Sequence, residues 1–179
     1  MLHRSAKATL LLLVFTFVAV FAASADARPR PRAGKAFEAN KTFGLGLMLG
    51  APSGLSGKYF LSSDNALDFG VGAIGYYRGR SGLHLHMDYL WHPVSLASAP
   101  AFELPLYFGI GGRVFDFDDG NDDAFAIGVR GPLGISFDLT EAPLDIFFEL
   151  AVVVDFFAGY RDSVGADFNG AFGIRYYFQ

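Results

Sequence analysis

The sequence predicts an all-β protein, an eight-stranded antiparallel up-and-down transmembrane β-barrel preceded by a cleaved signal peptide. Three observations predict it. From Leu83 to His92 the side chains alternate: Leu83, Leu85, Met87, Tyr89 and Trp91 fall on one face of an extended chain, and His84, His86, Asp88 and His92 on the other. An aromatic and aliphatic row backed by an ionisable one is the pattern of a wall between lipid and a polar interior. The chain is also rich in apolar residues, at 52% with a mean hydropathy of +0.32, yet after its first segment it has no apolar run long enough for a spanning helix. Finally, eight segments of roughly 9 to 11 residues or slightly more, the length of a tilted membrane strand, are separated by turn-forming residues.

In chain order, residues 1–25 have the parts of a secretory signal peptide. His3, Arg4 and Lys7 precede the apolar run from Leu10 to Ala23, interrupted only by Thr16, and small residues follow at Ala23-Ser24-Ala25. Cleavage after Ala25 removes Arg4 and Lys7 and no carboxylate. Of 14 basic and 18 acidic side chains, 12 and 18 remain, a net charge of about −6 that offers nothing to nucleic acid. The chain has no cysteine, which excludes disulfides, thiolate metal sites and the acylated cysteine of a lipoprotein. Residues 26–41 begin with Arg28-Pro29-Arg30-Pro31-Arg32 and are expected to form a disordered periplasmic leader.

Residues 42–179 form the expected barrel, with strands over 42–50, 54–62, 66–77, 83–92, 103–115, 125–138, 144–156 and 167–178. Turns are expected at Ala51-Pro52-Ser53-Gly54, Ser62-Ser63-Asp64-Asn65, Gly79-Arg80-Ser81-Gly82, the acidic stretch Asp116 to Asp123, Thr140-Glu141-Ala142-Pro143, and Tyr160 to Gly165. The stretch from Pro93 to Phe102 is long for a connection and has room for more strand at either end. An even strand number brings both termini to the periplasmic side and puts the acidic stretch at the cell surface.

Parity assigns the faces. Leu45, Leu47, Leu55, Phe69, Phe108, Ile110, Ile127, Val129, Leu133, Phe148, Leu150 and Val152 fall on the outward row, which carries no charge. The inward row holds Lys58, Asp68, His84, His86, Asp88, Arg113, Arg130, Glu149, Asp155, Asn169 and Arg175. Eight strands enclose a bore that side chains can fill, so these groups are expected to pair into a polar cluster with a structural role. Phe60, Tyr107, Phe115 and Phe147 add bulk to the plug, and inward glycines such as Gly70, Gly111, Gly128 and Gly134 make room for the arginines.

Catalytic and metal chemistry find little support. His84, His86 and Asp88 share a face at ligand-like spacing, but a hydrogen-bonded network with Glu149 or Asp155 explains them without a metal. None of His84, His86 and His92 is followed two positions later by the serine that barrel deacylases use. The acidic stretch lacks calcium-loop spacing, because Gly120 stands where a ligand is needed. Gly109-Ile110-Gly111-Gly112 continues into strand, so it is no nucleotide cradle.

Several runs together resemble a known family: Gly46 to Phe60, His86-Met87-Asp88-Tyr89-Leu90-Trp91-His92, Tyr107 to Arg113, Val129-Arg130-Gly131-Pro132-Leu133-Gly134, and Gly173-Ile174-Arg175-Tyr176-Tyr177-Phe178. In this order they resemble small bacterial outer-membrane β-barrel proteins of undefined function, with the architecture of the OmpA transmembrane domain or OmpX. One departure is Gln179, which follows the aromatic on which such barrels usually end. The resemblance implies an outer-membrane location, contact with membrane lipid and lipopolysaccharide, and delivery to the barrel-assembly machinery through the C-terminal strand. It implies no cofactor and supplies no catalytic residue. The expected protein is a monomeric, non-enzymatic barrel with a plugged, charge-paired lumen, serving envelope structure or surface interaction. The alternatives are a narrow porin-like channel and a lipid A-modifying barrel enzyme.

Overall fold

The computed structural model describes residues 36–77, 80–118, 123–158 and 163–178, all within the compact unit Pro31–Gln179. The expected signal peptide, the Arg-Pro run, the middle of the acidic stretch and Gln179 lie outside the described residues. Eight strands follow one another: β1 (Phe43–Gly50), β2 (Ser53–Phe60), β3 (Asn65–Tyr77), β4 (Arg80–Ala99), β5 (Phe102–Asp118), β6 (Asp123–Leu139), β7 (Leu144–Ala158) and β8 (Ser163–Phe178). Each pairs antiparallel with its sequence neighbour, and β1 pairs with β8, so the ring is closed and no strand is left at an edge over its whole length.

The register fixes the slant of the strands. From Leu47, successive partners are Leu55, Val71, Leu85, Val114, Ile127, Phe156 and Val164, whereas Leu47 itself pairs with Ile174, so the circuit closes 10 residues further along β8 (164 to 174). With a rise of about 3.3 Å per residue and a strand spacing of about 4.8 Å, that stagger tilts eight strands by roughly 40°.

The lower end of the ring carries the connections at 61–64, 100–101 and 140–143, and the upper end the others. Several elements extend further than the sequence indicated. β4 runs on to Ala99 and leaves only Pro100 and Ala101 before β5, so the long connection expected from Pro93 to Phe102 is mainly strand, with bulges between Trp91 and Val94 and between Ser95 and Ser98. At the upper end β4 begins at Arg80, β5 continues through Asp118, β6 begins at Asp123 and β8 at Ser163. These polar ends were expected as turns. Backbone pairing, which polar residues support as well as apolar ones, carries the strands outward.

The upper turn between β1 and β2 is tight. Gly50 has φ of +132°, a conformation that favours glycine, and a Cβ there would run into the Gly170 carbonyl. Ser53 Oγ donates to the Gly50 carbonyl at 3.0 Å and accepts from the Gly50 N–H at 2.9 Å.

The segment expected as disordered leader is packed from residue 36 onward. Phe37 is buried against Phe60 and His92, at ring separations of 6.0 and 5.4 Å, and the Ala39 N–H donates to the Ser63 carbonyl. Lys41 binds Asp138 and donates to the Leu139 carbonyl at 3.0 Å. An aromatic anchor and a lysine with three acceptors therefore tie down a strap across the lower end, where composition alone had pointed to a free tail.

Candidate functional site

Every member of the expected inward cluster is buried: Lys58, Asp68, His84, His86, Asp88, Arg113, Arg130, Glu149, Asp155 and Arg175. Alternation places them there, because inward and outward side chains take turns along each strand. Asp145, also buried, belongs with them and was missed, although it shares parity with Phe147 and Glu149. Among the buried groups, four cations, Lys58, Arg113, Arg130 and Arg175, face five carboxylates, Asp68, Asp88, Asp145, Glu149 and Asp155.

In the upper half, two guanidinium groups organise the network. Arg113 donates to both oxygens of Asp155, at 2.9 and 2.5 Å, and to Asn169 Oδ1 at 2.8 Å and Asp167 Oδ2 at 3.1 Å. Arg130 donates to Asp88 Oδ2 at 2.7 Å, to Glu149, and to the same Asn169 oxygen at 3.2 Å. Asn169 thus couples the two arginines, and its amide donates to Asp167 at 3.0 Å. Glycines provide the space. A Cβ on Gly111 would strike Asp88 Oδ1, and one on Gly128 would strike Asp155 Oδ1 and meet Arg113 Cγ at 3.1 Å.

In the lower half, Arg175 donates to Ser56 Oγ at 2.9 Å and Asp68 Oδ2 at 2.6 Å, and its guanidinium carbon lies 3.7 Å from the Phe147 ring centre. Tyr177 donates to Asp145 Oδ2 at 2.7 Å. Lys58 differs from the arginines. Its ammonium lies 4.5 Å from the Tyr107 ring centre and 5.3 Å from that of Phe60, and Nζ has no hydrogen-bond partner among the described residues.

The histidines depart from expectation. Glu149 and Asp155 are held by Arg130 and Arg113, and His84 Nε2 instead faces His86 Nδ1 at 3.0 Å. A charged fork satisfies a carboxylate better than a neutral imidazole does, so the arginines take the acids and leave the rings to each other. His92 Nδ1 donates to the Asp64 carbonyl at 3.2 Å. Among the described residues no group of three or more His, Cys, Asp or Glu is arranged to hold a metal ion. Among the described residues no hydrogen bond joins a serine to a histidine.

Apolar side chains cap the ionic zone at both ends. Above it Ile74, Phe115, Ala126 and Phe157 form one cluster; below it Ala66, Leu90 and Tyr107 form another, with Phe60 packed alongside and Phe37 beneath. The exterior is the inverse. Leu47, Leu55, Ile110, Val129, Leu133, Phe148, Leu150 and Phe172 are each about half exposed. Near the lower end aromatic rings gather on the outside, with Tyr89 and Trp91 at 4.9 Å, Trp91 and Phe108 at 5.8 Å, and Tyr176 and Phe178 at 5.2 Å.

The fold and its interior define a class: a closed antiparallel ring that exposes its greasy side chains and buries its ionic ones. Comparison with family models, curated proteins and solved structures returns no match.

Proposed function

We propose that this chain is a non-enzymatic outer-membrane β-barrel protein with a plugged, charge-paired lumen, contributing to envelope structure or to surface contacts through its outer rim. The inverted distribution of polarity carries the reading. In water, half-exposed aliphatic residues around the whole circumference would form an apolar patch far beyond the few hundred Å² that soluble monomers tolerate. In lipid they are the required surface, and a closed ring satisfies the backbone groups that hydrocarbon cannot. At a tilt of roughly 40° the eight residues of β1 or β2 rise about 20 Å, close to the ~25 Å apolar band of such barrels, and the longer strands exceed it. The lower aromatic group matches an interfacial girdle. The N-terminal segment, read as a signal peptide, supports export, and the resemblance to small outer-membrane barrels supports the compartment.

Both interior caps favour a plug over a narrow porin-like channel. The test is to refold the mature chain in detergent and compare its gel migration with and without boiling. Heat-dependent mobility together with silent planar-bilayer recordings is expected. Full solubility without detergent would overturn the membrane assignment, and steady conductance steps would overturn the plug. An altered lipid A acyl pattern in cells carrying the gene would overturn the non-enzymatic reading.

A further inference from the structure

The lower half of the interior holds donors and an acceptor that do not satisfy one another. Lys58 Nζ, Tyr107 Oη and Arg175 Nη1 are buried without a hydrogen-bond partner among the described residues, and so is the acceptor Asp145 Oδ1. Lys58, Tyr107 and Arg175 are each at most 1% exposed. They come from β2, β5 and β8, and Asp145 from β7; the Lys58 ammonium lies 4.5 Å from the Tyr107 ring centre, and Arg175 Nη1 lies 3.6 Å from Asp145 Oδ2, an ion pair beyond hydrogen-bond reach. The Tyr107 and Phe60 rings face the ammonium, but a ring face accepts one N–H direction and leaves the rest of the ammonium unsatisfied.

We infer that this region is a built hydration site, in which ordered water accepts from Lys58 Nζ, Tyr107 Oη and Arg175 Nη1 and donates to Asp145 Oδ1. The chemistry of the lining selects water over other occupants. A metal cation would meet two positive groups and a hydroxyl. A bound anion would add to an interior in which buried carboxylates already outnumber cations by five to four. A neutral molecule that both accepts and donates fits donors and acceptor alike, and buried water typically makes two to four such bonds. In the upper network the guanidinium nitrogens are all engaged, and the atoms without a hydrogen-bond partner among the described residues there are His84 Nδ1 and the acceptor Asp88 Oδ1. In the same half Phe37, Phe60, His92 and Tyr107 pack ring against ring, and Arg175 pairs with Asp68. This inference concerns the inside of the ring and stands whether or not the ring lies in a bilayer.

X-ray hydroxyl-radical labelling of the refolded chain tests it, because radiolysis marks side chains that touch bound water even where bulk solvent is excluded. Tyr107 and Phe115 are both fully buried, one in the hydrated region and one in the upper apolar cap. Tyr107 should be labelled several-fold faster than Phe115, beyond the intrinsic difference between phenol and phenyl, and Lys58→Met should reduce that labelling several-fold. Equal protection of the two rings, or labelling unchanged in a folded Lys58→Met variant, would overturn the inference. Should that variant not fold, a high-resolution crystal structure of the unmodified chain grown with bromide decides. A water peak within hydrogen-bond reach of both Lys58 Nζ and Tyr107 Oη supports the site; a direct Lys58–carboxylate contact, an empty void or an anomalous bromide peak at Nζ overturns it.

Discussion

In the upper half of the interior, Arg113 and Arg130 divide Asp88, Glu149, Asp155, Asp167 and Asn169 between them, whereas in the lower half Lys58 rests on aromatic faces with no acceptor for its ammonium. The difference lies in the shape of the cation. A planar guanidinium offers five N–H groups in fixed directions and can join three strands at once, while an ammonium is a compact point charge on a flexible stem. The upper half is therefore locked by directional bonds. The lower half is filled by rings, with Arg175 as its only fork among the described residues.

Substitutions can break or sharpen that contrast. Arg130→Met should have the largest effect, because it leaves Asp88 and Glu149 buried without their partner. Urea unfolding in detergent should register a loss of about 3 to 5 kcal/mol, and a loss below about 1 kcal/mol would mean that the upper network is not what holds that half together. Two glycines of β6 give a smaller, paired effect. An alanine methyl at Gly128 would collide with Asp155 and meet Val153 Cγ1 at 3.0 Å, while at Gly131, which faces outward, the nearest atom is 3.9 Å away. Gly128→Ala should cost about 1 to 3 kcal/mol and Gly131→Ala less than about 0.5 kcal/mol, and equal costs would contradict the inward and outward assignment. Lys58→Met should cost far less than Arg130→Met, at about 1 kcal/mol or less, since the side chain gives up no direct hydrogen bond. If its melting temperature falls as far as that of Arg130→Met, the two halves are not built differently.

Much of this was legible in the letters. Alternation in Leu83–His92 and in Phe172–Phe178 sorts every residue to the face it occupies, because a period of two leaves no freedom once a strand is granted. The same parity would have found Asp145. Its place directly after a turn hid it, since polar residues beside a turn are usually solvated. Partner choice was not legible. Whether Glu149 meets a histidine or Arg130 depends on the 10-residue stagger of ring closure, which sets which side chains share a level and is written in no local pattern. The strap was obscured for a different reason: the Pro-Arg run dominates the composition of residues 26–41, and one aromatic, Phe37, decides the fate of their C-terminal part. At the upper rim, strands outlast their hydrophobic pattern because backbone pairing needs no greasy side chain.

The strap also ties distant parts of the sequence together. Lys41 is 97, 98 and 103 residues away in sequence from Asp138, Leu139 and Leu144, the three groups its ammonium contacts. Contacts of such separation close long loops, as the β1–β8 ladder does, and ordering the strap therefore draws on residues far along the chain. Phe37 thus acts as a stopper that covers the rings of Phe60 and His92 at the lower end.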